Sequence, residues 1–398
     1  MTLSPYPVVK LKPKADARAI RHGAPWVFSD ELVLDRRTRA LEPGTIAVLA
    51  DGERQEMALV AITPASRITC RILDRDPAAR IDAEWLRRRI ATAMAMREHL
   101  YDAPFYRLVH AEADGLPGMV IDRFGDTAVV QPNAAWADRL MPEITAVLQE
   151  MGIANIVRNG SGRTRSLEGL EEFIRVEAGA VEGPVPVPMN GATYMADLLG
   201  GQKTGLFYDQ RPNHAFAARL GRGGSVLDVF SHVGGFALAA LAQGATEALA
   251  VDGSAPALEL AEQGARESGL ADRFTTRKGD AFDEMTALAE EGRKFDLVVC
   301  DPPAFAPGKK SLEAGLRAYE RVARLAAGLV APGGYLVLCS CSHAADLARF
   351  RQASTRGIGR GGRLGQLIHT GFAGPDHPMH PQLAESGYLK ALFYRLDG

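Results

Sequence analysis

The chain has 398 residues, 46% hydrophobic and 24% charged, with a formal net charge of −2. That is the composition of a soluble globular protein of two or three domains, and its near-neutrality gives no bulk signal for a nucleic-acid partner. No apolar run approaches the roughly 18 residues of a membrane span, and the opening stretch lacks the apolar core of a signal peptide, so no membrane partner and a cytoplasmic location are expected.

Residues 1–77 read as a small β-rich domain. Val8–Lys12 alternates like an edge strand, and Arg18–His22 suits a turn or two of helix. Gly44–Leu49 and Met57–Ile62 are strands around the Asp51-Gly52 turn, and Ser66–Leu73 is another, with Cys70 facing inward. Short strands with a basic rim suit a small barrel. Residues 78–185 read as a central α+β unit. Asp82–Tyr101 is an amphipathic helix with Trp85, Leu86, Ile90, Met94 and Leu100 on one face and Arg97 flanking it. Tyr106–Asp126 then gives short strands around two glycine turns. Ala135–Met151 reads as one helix and Ile153–Arg158 as a strand. The prolines of Val181–Pro188 forbid helix and favour a linker or stiff edge strand.

Four basic clusters stand out: Lys10/Lys12/Lys14/Arg18/Arg21, Arg87-Arg88-Arg89, Arg158/Arg163/Arg165 and Arg349/Arg351/Arg356/Arg360/Arg363. Any one suits a solvated face, and together they suggest a nucleic-acid footprint.

Residues 186–398 alternate strands with helices. Ser225–Val229 is a buried strand, Ser231–Gly235 a glycine turn, and Phe236–Leu241 a helix start. A second strand ends at Asp252, a third near Asp280, and Phe295–Cys300 leads into Asp301-Pro302-Pro303. Leu312–Leu329 is a helix. A strand through Ser340 then leads to Cys341-Ser342-His343, with a helix expected at Ala344–Arg351. The implied fold class is α/β, with a mostly parallel, doubly wound, Rossmann-like sheet. In such sheets ligands bind at the carboxyl ends of the strands, where Asp228, Asp252, Asp280, Asp301 and Cys341 all fall.

The glycine turn is not GxGxxG, the spacing that brings a pyrophosphate onto a helix N-terminus. Gly234 and Gly235 would let backbone approach a phosphate-free nucleoside ligand, and S-adenosyl-L-methionine (SAM) is one. The alternative is a tight packing turn with no ligand. Asp252 is placed to accept ribose hydroxyls. Asp280, with Ala281, is placed near an adenine, although capping of the next helix is a common task for such an Asp. The loop Asp301-Pro302-Pro303 suits the edge of a planar base, with Phe305 as a stacking surface worth ~1–3 kcal/mol, or as a packed turn residue. Of the four cysteines, Cys70, Cys300, Cys339 and Cys341, none forms a CxxC pair or a metal-ligand pattern, so neither disulfide nor metal is expected. Cys341 precedes a helix, whose N-terminus lowers a thiol pKa. As a thiolate it can add to carbon 6 of a pyrimidine and activate carbon 5, or it is a structural Cys.

In order along the chain, LKPKADARAIRHGAPWVFSDEL, HAEADGLPGMVIDRFG, GGQKTGLFYDQR, LDVFSHVGGFALAAL, VDGS, KGDAFD, DPPAF, CSCS, DHP and GYLKALFYR resemble the RlmI-like methyltransferases. These class I SAM-dependent enzymes make 5-methylcytosine in large-subunit ribosomal RNA. The resemblance covers essentially the whole chain. It implies an N-terminal PUA-like RNA-binding barrel (residues 1–77), a central α+β domain (78–185) and a methyltransferase domain (186–398). It implies that Asp228, Gly234, Asp252, Asp280 and Asp301 line the cofactor site, shaped by the preceding loop through Gln202, Thr204, Gly205, Asp209, Gln210 and Arg211; Phe230, Ser231, Gly235, Ser254 and Ala281 are expected there beside them. Lys203, Pro302, Pro303 and Phe305 are expected on the substrate side, and Cys341 and Asp301 as catalytic residues. The implied partner is large-subunit ribosomal RNA, and a homodimer is left open. Two positions depart from the family pattern: Ala304 follows Asp-Pro-Pro where a Lys is usual, and His232-Val233 replaces Tyr-Thr before the two glycines. Transfer to a base nitrogen, with Asp-Pro-Pro doing the chemistry, and a non-catalytic RNA-binding or assembly role are the competing readings.

Overall fold

The computed structural model describes residues 5–201 and 204–397. The chain divides into two compact units, one of Met1–Gly183 with Leu198–Thr204 and Pro375–Ser386, the other of Pro184–Asp197, Gly205–Gly374 and Gly387–Gly398.

The first unit carries two five-stranded sheets. One runs Val8–Lys10, Thr45–Ala50, Glu56–Ile62, Ile68–Asp74, Trp26–Phe28 in spatial order, with the Val8 strand at its edge. The other runs from Ile174–Ala178 through Asn155–Asn159, Thr127–Pro132 and Met119–Phe124 to Phe105–His110. Val48, Leu59, Ala61 and Leu73 of the first sheet join Trp85, Trp136 and Ile144 in one core. The helix Ala83–Leu100 begins where Asp82 accepts the Trp85 N–H at 3.0 Å.

Three details differ from the sequence reading. Leu100 is exposed, whereas Arg97 is fully buried and forked onto both Asp114 oxygens at 2.7 Å. Its aliphatic stem packs like a core residue while the fork satisfies its charge. The expected helix at 135–151 is broken into Ala135–Arg139 and Met141–Glu150, because Pro142 lies in the first turn of the second and cannot continue the first. Arg158 and Arg165 are buried and paired with Asp138, so these two members of the basic cluster belong to a structural network rather than a nucleic-acid rim.

The second unit opens with a hairpin, Val185–Met189 against Ala192–Ala196. Pro186 and Pro188 face outward, where a strand tolerates missing N–H donors. A seven-stranded sheet follows. Its strands are β1 Ser225–Val229, β2 Glu247–Asp252, β3 Phe274–Lys278, β4 Phe295–Cys300, β5 Val330–Ser340, β6 Gly365–Gly371 and β7 Lys390–Leu396, in spatial order 3-2-1-4-5-7-6. The first five are parallel, and β7 runs antiparallel between β5 and β6. The helices α1 Gly235–Ala242, α2 Ala255–Glu267, α3 Ala281–Glu290, α4 Leu312–Leu329 and α5 Leu347–Arg360 connect them. This is the doubly wound α/β sheet expected from the alternation. Strand order reverses between β1 and β4, which opens a crevice beyond their carboxyl ends. Among the described residues no helix is long and apolar enough to cross a membrane.

Candidate active site

After Val229 the backbone turns through left-handed conformations at Phe230 (φ 62°), His232 (φ 49°) and Gly234 (φ 77°). Two of these are not glycine, so the turn holds strain that the surroundings must impose. The fully buried Asp228 is one restraint. Its Oδ2 accepts the N–H groups of Phe236 and Ala237 at 3.2 and 3.0 Å, which satisfies the start of α1. Asp252 is another: its Oδ2 accepts the His232 N–H at 2.9 Å and its Oδ1 the Ser254 N–H at 2.8 Å. Ser254 caps α2 through the Ala257 N–H.

Asp228 Oδ1 and Ser231 Oγ are buried with no hydrogen-bond partner. Burial, reinforced by the negative charges of Asp301 and Asp252, raises the Asp228 pKa to about 7 despite its two backbone donors. The negative charges of Asp301 and Asp252 thus bear on Asp228 at the carboxyl ends of β1, β2 and β4. A ligand carrying positive charge relieves that repulsion, and one with polar hydrogens can pair the two orphaned oxygens. SAM has a sulfonium, an ammonium and ribose hydroxyls, so these residues fit it.

The two glycines have separate tasks. Gly234 supplies the left-handed turn. A Cβ on Gly235 would lie 2.7 Å from the His214 ring, so packing alone requires glycine at this position. His214, on the Arg211–Leu220 helix, is buried, and burial lowers its pKa to about 3, so it is neutral at neutral pH. Its ring meets Phe236 edge-on at 4.4 Å.

Asp280 is exposed and accepts the Phe282 and Asp283 N–H groups at 2.9 and 3.3 Å, the contacts of a helix cap. Ala281 is in the core of the sheet layer. Asp301 Oδ2 accepts the Gln210 amide at 2.8 Å, and Gln210 Oε1 accepts from Asn213 at 2.7 Å. Gln210 thus ties the loop after β4 to the helix bearing His214. The Arg211 guanidinium lies 5.7 Å from the Tyr208 ring centroid. Thr204 donates instead to Asp122 at 2.6 Å, within the first unit. Gln202 and Lys203 lie outside the described residues. Pro302 is buried while Pro303 and Ala304 are exposed. Phe305 is half-buried among Tyr319, Phe230 and Phe282, at 5.0, 6.4 and 6.4 Å, so its ring is a packed turn residue rather than an open stacking platform.

Cys70, Cys300 and Cys339 are buried and Cys341 is partly exposed. Burial raises the three buried thiols above their usual range. The serines flanking Cys341 are fully buried. The Tyr319 hydroxyl lies 2.7 Å from Ser342 Oγ and accepts from Ser340 Oγ at 2.9 Å. Ser342 Oγ also accepts the Ala306 N–H at 2.9 Å, which joins the thiol's segment to the loop after Asp301. The helix expected to begin at Ala344 begins at Leu347, capped by Asp346. Asp346 accepts the Arg349 N–H at 2.8 Å and so sets the start of the helix, which leaves Cys341 away from its N-terminus. Tyr319, Lys390 and His214 were not legible as site residues because each is joined to the site through space alone.

Residues 180–359 match the family of S-adenosylmethionine-dependent methyltransferases, and residues 9–75 match the PUA-like domain. A Shewanella denitrificans protein named ribosomal RNA large subunit methyltransferase I is 34% identical, over 98% of this chain and 99% of its own. A Deinococcus radiodurans ribosomal RNA large subunit methyltransferase is 33% identical, over 96% of each chain. The chain belongs to the ribosomal RNA large subunit methyltransferase I family. It is a SAM-dependent methyltransferase with a PUA-like N-terminal domain. A Streptococcus mutans protein assigned to the SAM-dependent methyltransferases shares the fold at 16% identity, with a TM-score of 0.79 over 98% of this chain and 100% of its own. A further solved structure, a methyltransferase-like protein bound to SAH, matches at 16% identity with a TM-score of 0.80 over 98% of this chain and 99% of its own. The family's cofactor agrees with the acidic crevice, whose Asp228 and Ser231 would hold it with Asp252.

Proposed function

We propose that this enzyme methylates carbon 5 of a cytosine in large-subunit ribosomal RNA, in the cytoplasm, with Cys341 as a covalent nucleophile. The observation that carries the reading is the mounting of Cys341. It is the partly exposed thiol among four cysteines, and its neighbours on both sides are buried and bonded to the frame that carries Asp301. A core cysteine would not require its flanks pinned with its own side chain left accessible.

Bound SAM would supply an electrophilic methyl group, its sulfur–methyl bond breaking with the electron pair left on sulfur as a neutral thioether. Cys341 Sγ adds to carbon 6 of the base, and the electron pair of the carbon 5–carbon 6 double bond becomes available at carbon 5. Carbon 5 takes the methyl group. Loss of the carbon 5 proton to water then re-forms the double bond and releases the thiolate. Asp301, oriented by Gln210, holds the polar edge of the base. The exposed lysines and arginines of Lys10–Arg21 lie on the PUA-like domain and suit phosphate contacts.

The test is nucleoside mass mapping of large-subunit ribosomal RNA after incubation with SAM and the wild-type or Cys341→Ala enzyme. The reading requires 5-methylcytidine with the first and none with the second. Undiminished transfer by Cys341→Ala would move the chemistry to a base nitrogen. A folded chain that binds RNA but transfers nothing would favour an assembly role.

A further inference from the structure

Cys341 lacks the helix N-terminus that its sequence context suggests, yet a thiol in ordinary water is mostly protonated at neutral pH, with a pKa of about 8.5. The structure offers another cation. Lys390 opens β7 directly opposite Ser340, the residue before Cys341. It is 4% exposed, and its Nζ donates to the carbonyls of Ser342 at 2.7 Å and Ala345 at 2.8 Å. Both acceptors lie in the turn that follows the thiol. A buried lysine is costly unless its charge is used, and two neutral carbonyls leave one of its three donors over.

Resting on the carbon 5 reading above, we propose that Lys390 is the positioning residue for Cys341: its ammonium fixes the 342–345 turn and holds the neighbouring thiol in its thiolate form. Burial lowers the lysine pKa to about 8, against the negative charges of Cys341 and Asp346. The lysine therefore remains a cation at neutral pH, and the attraction is mutual between it and the thiolate. Among the described residues, the other titratable groups about this turn include Tyr319 from α4, Asp346 at the cap of α5, Cys339 of β5 with Asp301 acting on it from the loop after β4, and His343, whose ring is 5.7 Å from Tyr388. The two aspartates oppose a thiolate, so the lysine must outweigh them.

The experiment is alkylation of the intact protein by iodoacetamide across pH, followed by mass spectrometry of the Cys341 peptide. The other three cysteines are buried, so the signal is local. For the wild type the midpoint of the rate profile should fall below about 8.5. Lys390→Met, which keeps the aliphatic stem, should raise it by about one unit, a tenfold loss of thiolate at neutral pH. Lys390→Arg should leave it near the wild-type value. A purely structural lysine would change stability without moving the midpoint. A wild-type midpoint at or above 8.5, or an unchanged midpoint in a folded Lys390→Met, overturns the proposal. The wild-type titration decides it even if Lys390→Met does not fold. If Cys341→Ala methylates RNA normally, the carbon 5 reading fails, while the alkylation midpoints still report separately on the lysine.

Discussion

The two halves of the crevice are built differently. The proposed cofactor half is local: Asp228, Ser231, Gly234, Asp252 and Ser254 sit on one strand–turn–helix–strand stretch, and its carboxylates bind backbone N–H groups in that stretch's own turns and helix start. The proposed acceptor half is assembled. Cys341 is held by Tyr319 from α4, by Ala306 from the loop after β4 and by Lys390 from the last strand. A local site is fixed once its strand and helix form. An assembled one is only as exact as the packing of several elements, so a substitution well away from the thiol can misplace it.

The largest effect should separate the halves outright. Cys341→Ala should lower methyl transfer at least about 1000-fold, as loss of a covalent nucleophile does, with SAM affinity by calorimetry unchanged. Asp228→Asn should do the reverse. The amide keeps an oxygen for the α1 N–H groups but loses the charge, so SAM binding should weaken roughly 30-fold or more. The same variant carries a pH signature. A carboxyl with a pKa near 7 when folded and near 4 when unfolded binds more protons in the folded state between those values. Wild-type stability should therefore fall as pH rises from about 4 to about 7. In Asp228→Asn that fall should shrink, as read from urea midpoints across the range. An unchanged slope would mean that the Asp228 carboxyl is ionised throughout and that the crevice does not strain it.

The same division decides what could be read from the sequence. The alternation of apolar strands and amphipathic helices marked the doubly wound sheet, and α4 and β4 lie where the pattern places them. Acids at strand ends marked the crevice, because strand ends are where this fold gathers ligands. Long-range pairing left no local trace. Nothing local singles out the buried Lys390, Arg97 reads as a flanking charge, and Gly235 as a ligand glycine although its neighbour His214 precedes it on another helix. The edge strand β6 was missed too, since most of its residues are exposed and it shows no buried face to alternate. The helix after Cys341 was placed early because Ala344 continues its pattern, whereas the cap that starts it is Asp346.

A smaller perturbation tests whether the acceptor half depends on its frame. Ser342→Ala removes the acceptor for the Ala306 N–H and the hydroxyl partner of Tyr319, both buried. An unpaired buried group costs about 1–3 kcal/mol, so the unfolding midpoint should drop measurably. If the frame positions the thiol, kcat should fall about 10- to 100-fold with the KM for SAM unchanged. A stability loss with kcat intact would make the serine mere packing and reduce the contrast between the halves.

The smallest effect is expected at Phe305. A stacking platform for the acceptor base would contribute ~1–3 kcal/mol to binding, so its loss would raise the KM for RNA by about 5- to 150-fold. Its ring instead lies 5.0 Å from Tyr319, in the aromatic cluster behind the loop. Phe305→Leu keeps most of that apolar volume, so it should cost about 1 kcal/mol of stability and leave the KM for RNA within about threefold. Because Tyr319 also carries the serine frame, any loss of activity should appear in kcat, through the placement of Cys341. A rise in KM with kcat unchanged would instead put Phe305 against the base and make this corner of the acceptor half a surface that the RNA reads directly.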